Sequence, residues 1–575
     1  MRNAQIADAL DQLADLLEFQ GANPFRVRAY RNGARTVREL SEPITDILAD
    51  SGRKLTDLAG IGADLADKIA SLATTGKLAM LEELQSQVPQ SVLTLLRIPG
   101  LGPKKAAVLF NELKITTLDE LKAACESQQV RKLKGFGAKT EQTILAGISL
   151  AATAGDRLYW AQADTVAQEL LGYLRELPSV EQSEIAGSYR RGRETIGDLD
   201  FLVVSNDVTA VMDRLGAFPA VKEVIGRGDT KMSVRLEGGL QVDLRVVPEA
   251  SFGAALQYFT GSKEHNVVVR GLAKNRGLKV NEYGVFRLED GKEEYVAGRN
   301  EQEVYASIGL PWFPPELREA RQEFAWSEAG ELPELIELDD MRGDLHSHTT
   351  ATDGRNTLLE MAAAAQARGL EYLAITDHSK RVSMANGLDG ARLLAQWAEI
   401  DKLNKDFKGF RLLKGVEVDI LEAGGLDIED EVLAEADWVV ASVHYGQNQS
   451  REEITKRVVD ALQNPNVCAI AHPTGRLINR RKPYEIDLEA VFRAASDHGK
   501  FLELNSNPAR LDLDDLACAT AKSRGIPIVI STDAHNVHGL EAMRYGILQA
   551  RRAGLTKADV ANARSWKELK KLLGR

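Results

Sequence analysis

The chain has 575 residues, 44% hydrophobic and 27% charged, with a net charge of −12. That length exceeds what one core organises and predicts several domains, and the composition is that of an ordinary globular protein. No run of about 18 apolar residues is present, which excludes a membrane-spanning helix, and three scattered cysteines exclude a disulfide framework or a cysteine metal site and fit a reducing cytoplasm.

The first residues, MRNAQIADALDQLADLLEF, read as a capped amphipathic helix and not as a signal peptide, because acidic residues interrupt the apolar positions. Helical periodicity dominates residues 1–154. One element recurs there three times: LAGIGADLADKI (58–69), IPGLGPKKAAVLF (98–110) and LKGFGAKTEQTIL (133–145). In each, a Gly-x-Gly turn precedes a helix, at Gly60 and Gly62, Gly100 and Gly102, and Gly135 and Gly137. Such turns leave backbone N–H groups at a helix N-terminus, which suits a DNA phosphate without reading a base. Lys104, Lys105, Lys134 and Lys139 stand where cations would help.

Next comes EIAGSYRRGRETIGDLDFLVV (184–204). Residues i and i+2 of a strand share a face, so Asp198 and Asp200 project together. Adjacent carboxylates are costly unless a divalent cation neutralises them. LQVDLRVV (240–247) adds Asp243 on a neighbouring strand, completing the set that two-metal phosphoryl transfer requires. Gly187, Ser188 and Arg191 are placed to hold β- and γ-phosphates. Residues 316–340, with many carboxylates, read as a linker between two machines.

After residue 341, apolar runs alternate with helical segments, and nearly all end in metal-type ligands. GDLHSH ends in His346 and His348, with Asp353 close behind. YLAITDH ends in His378, LLKGVEVD carries Glu417, WVVASVH ends in His444, VCAIAH in His472, FLELNSN in Asn505, and IPIVISTDAH in Asp533 and His535. Six of the nine histidines of the chain fall at these ends, a concentration that satisfied core histidines do not explain. Strands alternating with helices and sharing functional C-terminal ends describe a parallel barrel. Mixed imidazole and carboxylate ligands suit zinc, manganese or iron, and metal-assisted hydrolysis at phosphorus is the natural reaction. Arg476 and Arg510, after strands five and six, are candidates for binding the phosphate that is cut.

GSYRRG, DLD and VDLR, followed by ALQYFTGSKEHNVVVRGLA (254–272), resemble the family X DNA polymerases of the nucleotidyltransferase superfamily. The resemblance implies Tyr258, Phe259 and Gly261 at the sugar of an incoming nucleotide, Asn266 at its base and Arg270 near the template. The chain departs from the pattern at Ile196 before Gly-Asp, and at Gln241, where relatives carry arginine. The recurring glycine turns resemble helix-hairpin-helix motifs, and Lys68 falls where animal relatives carry a Schiff-base lysine that removes deoxyribose phosphate. The nine ligands resemble those of the polymerase and histidinol phosphatase (PHP) domain, a seven-stranded βα barrel. That resemblance implies three divalent ions, Mn²⁺ or Zn²⁺. His346, His348, Glu417 and Asp533 would hold one, Glu417, His444 and His472 a second, and Asp353, His378 and His535 the third.

The expected fold is thus multidomain, α+β and α/β. A helical DNA-binding and lyase-like domain is expected at 1–90, a helix-hairpin-helix subdomain at 91–154 and a nucleotidyltransferase-type mixed-sheet palm at 155–248. A nucleotide-selecting subdomain follows at 249–315, an acidic linker at 316–340 and the PHP barrel at 341–575. The order resembles bacterial and archaeal family X polymerases with a C-terminal PHP domain. It implies gap filling in base excision repair with Mg²⁺ or Mn²⁺ at the palm, and a 3′→5′ exonuclease, with AP endonuclease or 3′-phosphatase action, at the barrel. Gapped or primer-template DNA and dNTPs are the expected partners, in a monomer of the cytoplasm and nucleoid. The other readings are a small-molecule phosphatase of the histidinol-phosphate type and a barrel that only braces the polymerase.

Overall fold

The computed structural model describes residues 3–574 except 41–43, 51, 59, 88–94, 96–100, 102, 139, 143, 146–147, 149–156, 290–291 and 480. It divides into two compact units, 1–156 and 157–575.

In the first unit, Ile6, Leu10, Leu13 and Leu17 recur every three to four residues and bury one face of the helix Asn3–Phe19. The antiparallel partner Pro24–Glu39 starts at Asn23, whose side chain accepts from the Phe25 N–H at 2.9 Å, with proline in the first turn. The helices Ile44–Ala49, Ala63–Thr75, Ala79–Gln87, Pro103–Leu113 and Leu118–Glu126 follow, the last opened by a Thr117/Glu120 capping box. One core runs from Ile6 to Ile148, and Phe19 meets Phe110 edge-on at 5.6 Å, so the helical segments expected at 1–90 and 91–154 pack together.

The second unit begins with a five-stranded mixed sheet: β1 (Val180–Ile185), β2 (Asp198–Ser205), β3 (Val221–Arg227), β4 (Lys231–Leu236) and β5 (Gln241–Val246). Its order is β1-β2-β5-β4-β3, with β2 and β5 parallel. Inward residues alternate along β4 and β5 (Met232, Val234, Leu236; Val242, Leu244, Val246), the pattern of strands covered on one face. The helices Phe252–Thr260 and Lys263–Lys274 follow, then a three-stranded antiparallel sheet from Leu278 to Ala297 and the helix Glu301–Ser307.

Residues 316–340, expected as a solvated linker, form a packed strap. Three of its carboxylates are buried, and each has a partner. Glu316 accepts from Arg551 at 2.7 Å, Glu319 from Arg552 at 2.9 Å, and Glu323 faces His265 Nδ1 at 2.9 Å. The strap leads into a seven-stranded parallel sheet whose strands follow chain order: β6 (Gly343–Asp344), β7 (Tyr372–Ile375), β8 (Arg411–Asp419), β9 (Trp438–Ser442), β10 (Ala469–Ile470), β11 (Phe501–Asn505) and β12 (Ile528–Ser531). A parallel bridge between Ser347 and Ala534 draws the last strand to the first, giving a nearly closed barrel. Strand residues such as Leu373, Val416 and Ile470 share one cluster with helix residues such as Met361, Leu393 and Val458, and Tyr372, Trp438 and Phe501 pack in a second.

Candidate functional site

Register explains the first cluster. In the β2–β5 ladder Asp200 stands beside Asp243, and Asp198 is two residues before it on the same face. Gly187 opens a one-turn helix, Gly187–Arg190, directly over these carboxylates. Its φ of +63° favours glycine, and a Cβ there would overlap Asp200 Oδ2. The Ser188 hydroxyl is buried without a hydrogen-bond partner among the described residues.

The charges of this cluster are uneven. Burial, then the charges of Asp198 and Asp243, push the Asp200 carboxyl up to about 7, and burial and Asp243 also raise Asp198. Asp243 goes the other way. Burial opposes its charge, but the Ser233 hydroxyl, the Gln241 amide at 2.9 Å and the Lys231 ammonium at 3.2 Å hold it low. Gln241, a departure from the family pattern, thus donates to the third aspartate. Ser233 and Lys231 on β4 were not singled out from sequence, because only the ladder places Ser233 opposite Asp243, with Lys231 two residues before it on the same face. Crowded carboxylates that raise one another's ionisation cost are the state that a divalent cation relieves, so this donor set fits one.

Tyr258 and Phe259 end the helix Phe252–Thr260, half-buried with their rings edge-on at 5.2 Å, and Arg245 lies 4.5 Å over the Phe259 ring. Gly261 turns the chain with φ +69°. Arg270 is exposed. Two expectations are redirected. Arg191 does not stand open for a phosphate; it donates to the Thr260 carbonyl and lies 3.2 Å from Glu319, which fixes the back of the Thr260–Gly261 turn. Asn266 is buried and engaged by Gln257 and by the Tyr258 carbonyl at 2.7 Å, so it shapes that turn from within.

In the helical unit, Gly60 (φ +79°) and Gly135 (φ +87°) turn as expected, and Gly62 and Gly137 have open space where a side chain would sit. Lys104 is exposed at the start of its helix; Gly100, Gly102 and Lys139 lie outside the described residues. Lys68 pairs with Asp64 on the same helix face and lies 5.9 Å from the Tyr30 ring. Partial burial favours the neutral amine, but the Asp64 hydrogen bond prevails and raises the ammonium, the opposite of what Schiff-base chemistry needs.

The second cluster sits at the C-terminal ends of the barrel strands. Its atoms form three groups: His346, His348 and Asp533; His348, Asp353, His378 and His535; and His378, Glu417 and His444. Glu417 is central. Its Oε1 is 3.0 Å from His472 Nε2 and 3.4 Å from His444 Nε2, and its Oε2 is 2.8 Å from His378 Nδ1 and 3.5 Å from His346 Nε2. Asp353 Oδ2 is 3.4 Å from His535 and 3.5 Å from His378. All nine residues read from sequence therefore meet in one place, with His348 and His378 each shared between two groups.

Two observations show that this donor set fits divalent ions. His346 Nε2 and both ring nitrogens of His348 are buried without a hydrogen-bond partner among the described residues, and neutral imidazoles aimed at carboxylates are what such ions require. The remaining ring atoms are held from behind: Glu503 faces His346 Nδ1 at 2.7 Å, Asp419 faces His444 Nδ1 at 3.2 Å, and the Asp533 carbonyl faces His535 Nδ1 at 2.9 Å. Asp533 itself turns with φ +54°, a conformation aspartate tolerates better than most residues. Glu503 and Asp419 were missed by sequence reasoning. The available signal was an acidic residue at an inward position of an apolar strand, in FLELN and GVEVD.

The two arginines part company. Arg510 Nε lies 3.7 Å from Asp533 Oδ2, beside the cluster. Arg476 instead donates to the carbonyls of Arg510 and Leu511 and pairs with Glu194 at 2.7 Å, fastening the barrel to the mixed sheet.

Family models match in the same order: a helix-hairpin-helix domain at 1–78, a SAM-like helix-hairpin-helix tandem at 92–149, DNA polymerase beta palm at 161–234, DNA polymerase beta thumb at 255–319 and a PHP domain at 344–507. The chain is 42% identical over 577 residues, all of both chains, to a DNA polymerase/3′-5′ exonuclease PolX of Bacillus subtilis (strain 168). Over 201 residues, 33% of this chain and 78% of the relative, it is 36% identical to a probable phosphatase of Acetivibrio thermocellus. A probable phosphatase of Thermoanaerobacter sp. (strain X514) is 31% identical over 230 residues, 38% of this chain and 89% of the relative.

Proposed function

The chain belongs to the family X DNA polymerases that carry a C-terminal PHP domain, and from that premise we propose how its two clusters divide the work of a DNA polymerase and 3′→5′ exonuclease. Asp198, Asp200 and Asp243 hold Mg²⁺ or Mn²⁺ and extend the primer end of gapped DNA. The observation that carries this reading is the parallel register that sets Asp200 beside Asp243 beneath the Gly187–Ser188 turn. That turn presents backbone to the triphosphate, and Tyr258, Phe259 and Gly261 line the sugar. Arg191 keeps the turn in place from behind.

In the barrel, His346, His348, Asp353, His378, Glu417, His444, His472, Asp533 and His535 hold three divalent ions, Mn²⁺ or Zn²⁺. Such ions, when bound, supply Lewis acidity for phosphodiester hydrolysis. Glu417 bridges the groups, Glu503 and Asp419 fix the tautomers of His346 and His444, and Arg510 is placed to receive a phosphate oxygen. Short gap filling with trimming of the 3′ end suits base excision repair. A second reading, a phosphomonoesterase acting on 3′-phosphates, is favoured by the likeness to the two probable phosphatases.

The test follows a labelled primer on a one-nucleotide gap in Mn²⁺. Asp200→Ala is expected to lose extension by about 10³-fold, from several kcal/mol of metal-assisted stabilisation, and to keep trimming. His346→Ala with His348→Ala is expected to do the reverse. Extension at the wild-type rate by Asp200→Ala would overturn the palm assignment. Hydrolysis of a 3′-phosphate without release of nucleotides would favour the second reading.

A further inference from the structure

The reading of two DNA-directed sites raises the question of what lies between them, and the structure joins them by a short basic path. Arg157 lies against Gly197, the residue before Asp198, with its Nη1 2.6 Å from where a Cβ would stand. Its guanidinium donates to the Thr195 hydroxyl at 3.0 Å and to the Thr195 carbonyl at 2.8 Å. On the barrel side, the loop after β10 leaves His472 and returns over residues 475–479 and 481. The Asn479 amide donates to the Arg157 carbonyl, and the Tyr159 hydroxyl donates to the Ile478 carbonyl at 2.9 Å. The Arg476–Glu194 pair fixes the same contact.

Arg481 ends this loop, exposed, with Nε and Nη2 donating to the Gly475 carbonyl at 3.0 and 2.7 Å. Burial of its stem and the nearby charge of Arg510 depress its guanidinium, and Arg510 in turn reaches Asp533 of the metal cluster. Arg157 and Arg481 bond carbonyl or hydroxyl oxygens, and neither pairs with a carboxylate among the described residues. In a chain of net charge −12, that sets guanidinium groups in succession between the two clusters: Arg157 beside Asp198, Arg510 beside Asp533, and Arg481, exposed and without a carboxylate pair, between them. Uncancelled guanidinium groups along a fixed surface attract phosphates in a sequence-independent, salt-sensitive manner.

We propose that Arg157, Arg481 and Arg510 form a track for the phosphates of a single DNA strand, along which a primer 3′ end passes between palm and barrel without leaving the protein. The proposal rests on the two activities assigned above. Because the barrel loop is bonded directly to the palm, transfer needs a displacement of the strand and no separation of the domains.

The test is a single-encounter experiment with the full chain. A labelled primer with a mismatched 3′ end, annealed to a template, is bound without metal. The reaction is started with Mn²⁺, dNTPs and a large excess of unlabelled DNA that captures released protein. Wild type is expected to give primers that are first shortened and then extended. Arg481→Glu is expected to lower that product about fivefold, with trimming and extension measured separately without competitor held within about twofold. Arg481→Lys, which keeps the charge, is expected to match wild type. The track is overturned if wild type yields no trimmed-and-extended product under competitor, if Arg481→Glu matches wild type, or if either separate activity falls as far as the transfer. Loss of both separate activities in wild type itself would instead overturn the assignment of the two sites.

Discussion

Gly187 shows how one residue carries both a backbone and a charge requirement. Its left-handed conformation starts the turn above the aspartates, and its missing side chain lets Asp200 approach that turn. Gly187→Ala would cost about 1 kcal/mol for the backbone conformation alone, and the added methyl group would displace Asp200. The expected outcome is primer extension lowered by about tenfold or more, since 1.4 kcal/mol is already tenfold, with 3′ trimming unchanged on the same substrate. An equal fall in both activities would mean that the substitution damages the fold and not the site. Gln241 teaches a related lesson: a residue departing from a family motif still bonds the third aspartate, through a neutral amide.

At the scale of elements, the barrel ligands depend on helices that never touch them. Arg457, on the helix Arg451–Gln463, is fully buried and pairs with no carboxylate among the described residues. Its Nη1 and Nη2 donate to the carbonyls of Ile420 and Tyr445, at 3.3 and 2.7 Å. Those carbonyls belong to the segments that follow Glu417 and His444, so one guanidinium ties two ligand-bearing loops together. Arg457→Met keeps the apolar stem and removes both bonds. It is expected to weaken Mn²⁺ binding to the barrel about 10- to 100-fold by calorimetry, the range for partners that orient ligands, without changing primer extension. Unaltered Mn²⁺ affinity would show that the loops hold their shape without it.

At the scale of the whole molecule, the strap makes palm, thumb and barrel one body through buried charge. Burial opposes ionisation of Glu319, but Arg552, Arg191, Arg193 and Arg321 hold its carboxyl down to about 2. A lowered pKa contributes stability that is present above the unfolded value, near 4.5, and is lost as pH falls through about 2. Glu319→Gln is therefore expected to melt below wild type at pH 7, by on the order of 3 kcal/mol. The two melting points should converge between pH 4.5 and about 2, as followed by thermal denaturation. A difference independent of pH would mean that packing and not charge sets the contribution of Glu319. The candidate residues were legible in the sequence because period-2 spacing, glycine turns and strand ends carry them locally: DLD, the Gly-Ser turn and the nine candidate barrel ligands come together in space as the residue pattern points. The acidic strap was not legible, since a carboxylate reads as a surface group until its cation arrives from hundreds of residues away, as Arg552 does for Glu319. For the same reason Arg476 read as a phosphate ligand when it is a fastener to Glu194, and Glu503, which faces His346, was not singled out. Local sequence determined which groups can do chemistry; only the tertiary structure decided which charges remain free to do it, because partnership between charges is set by distance in space.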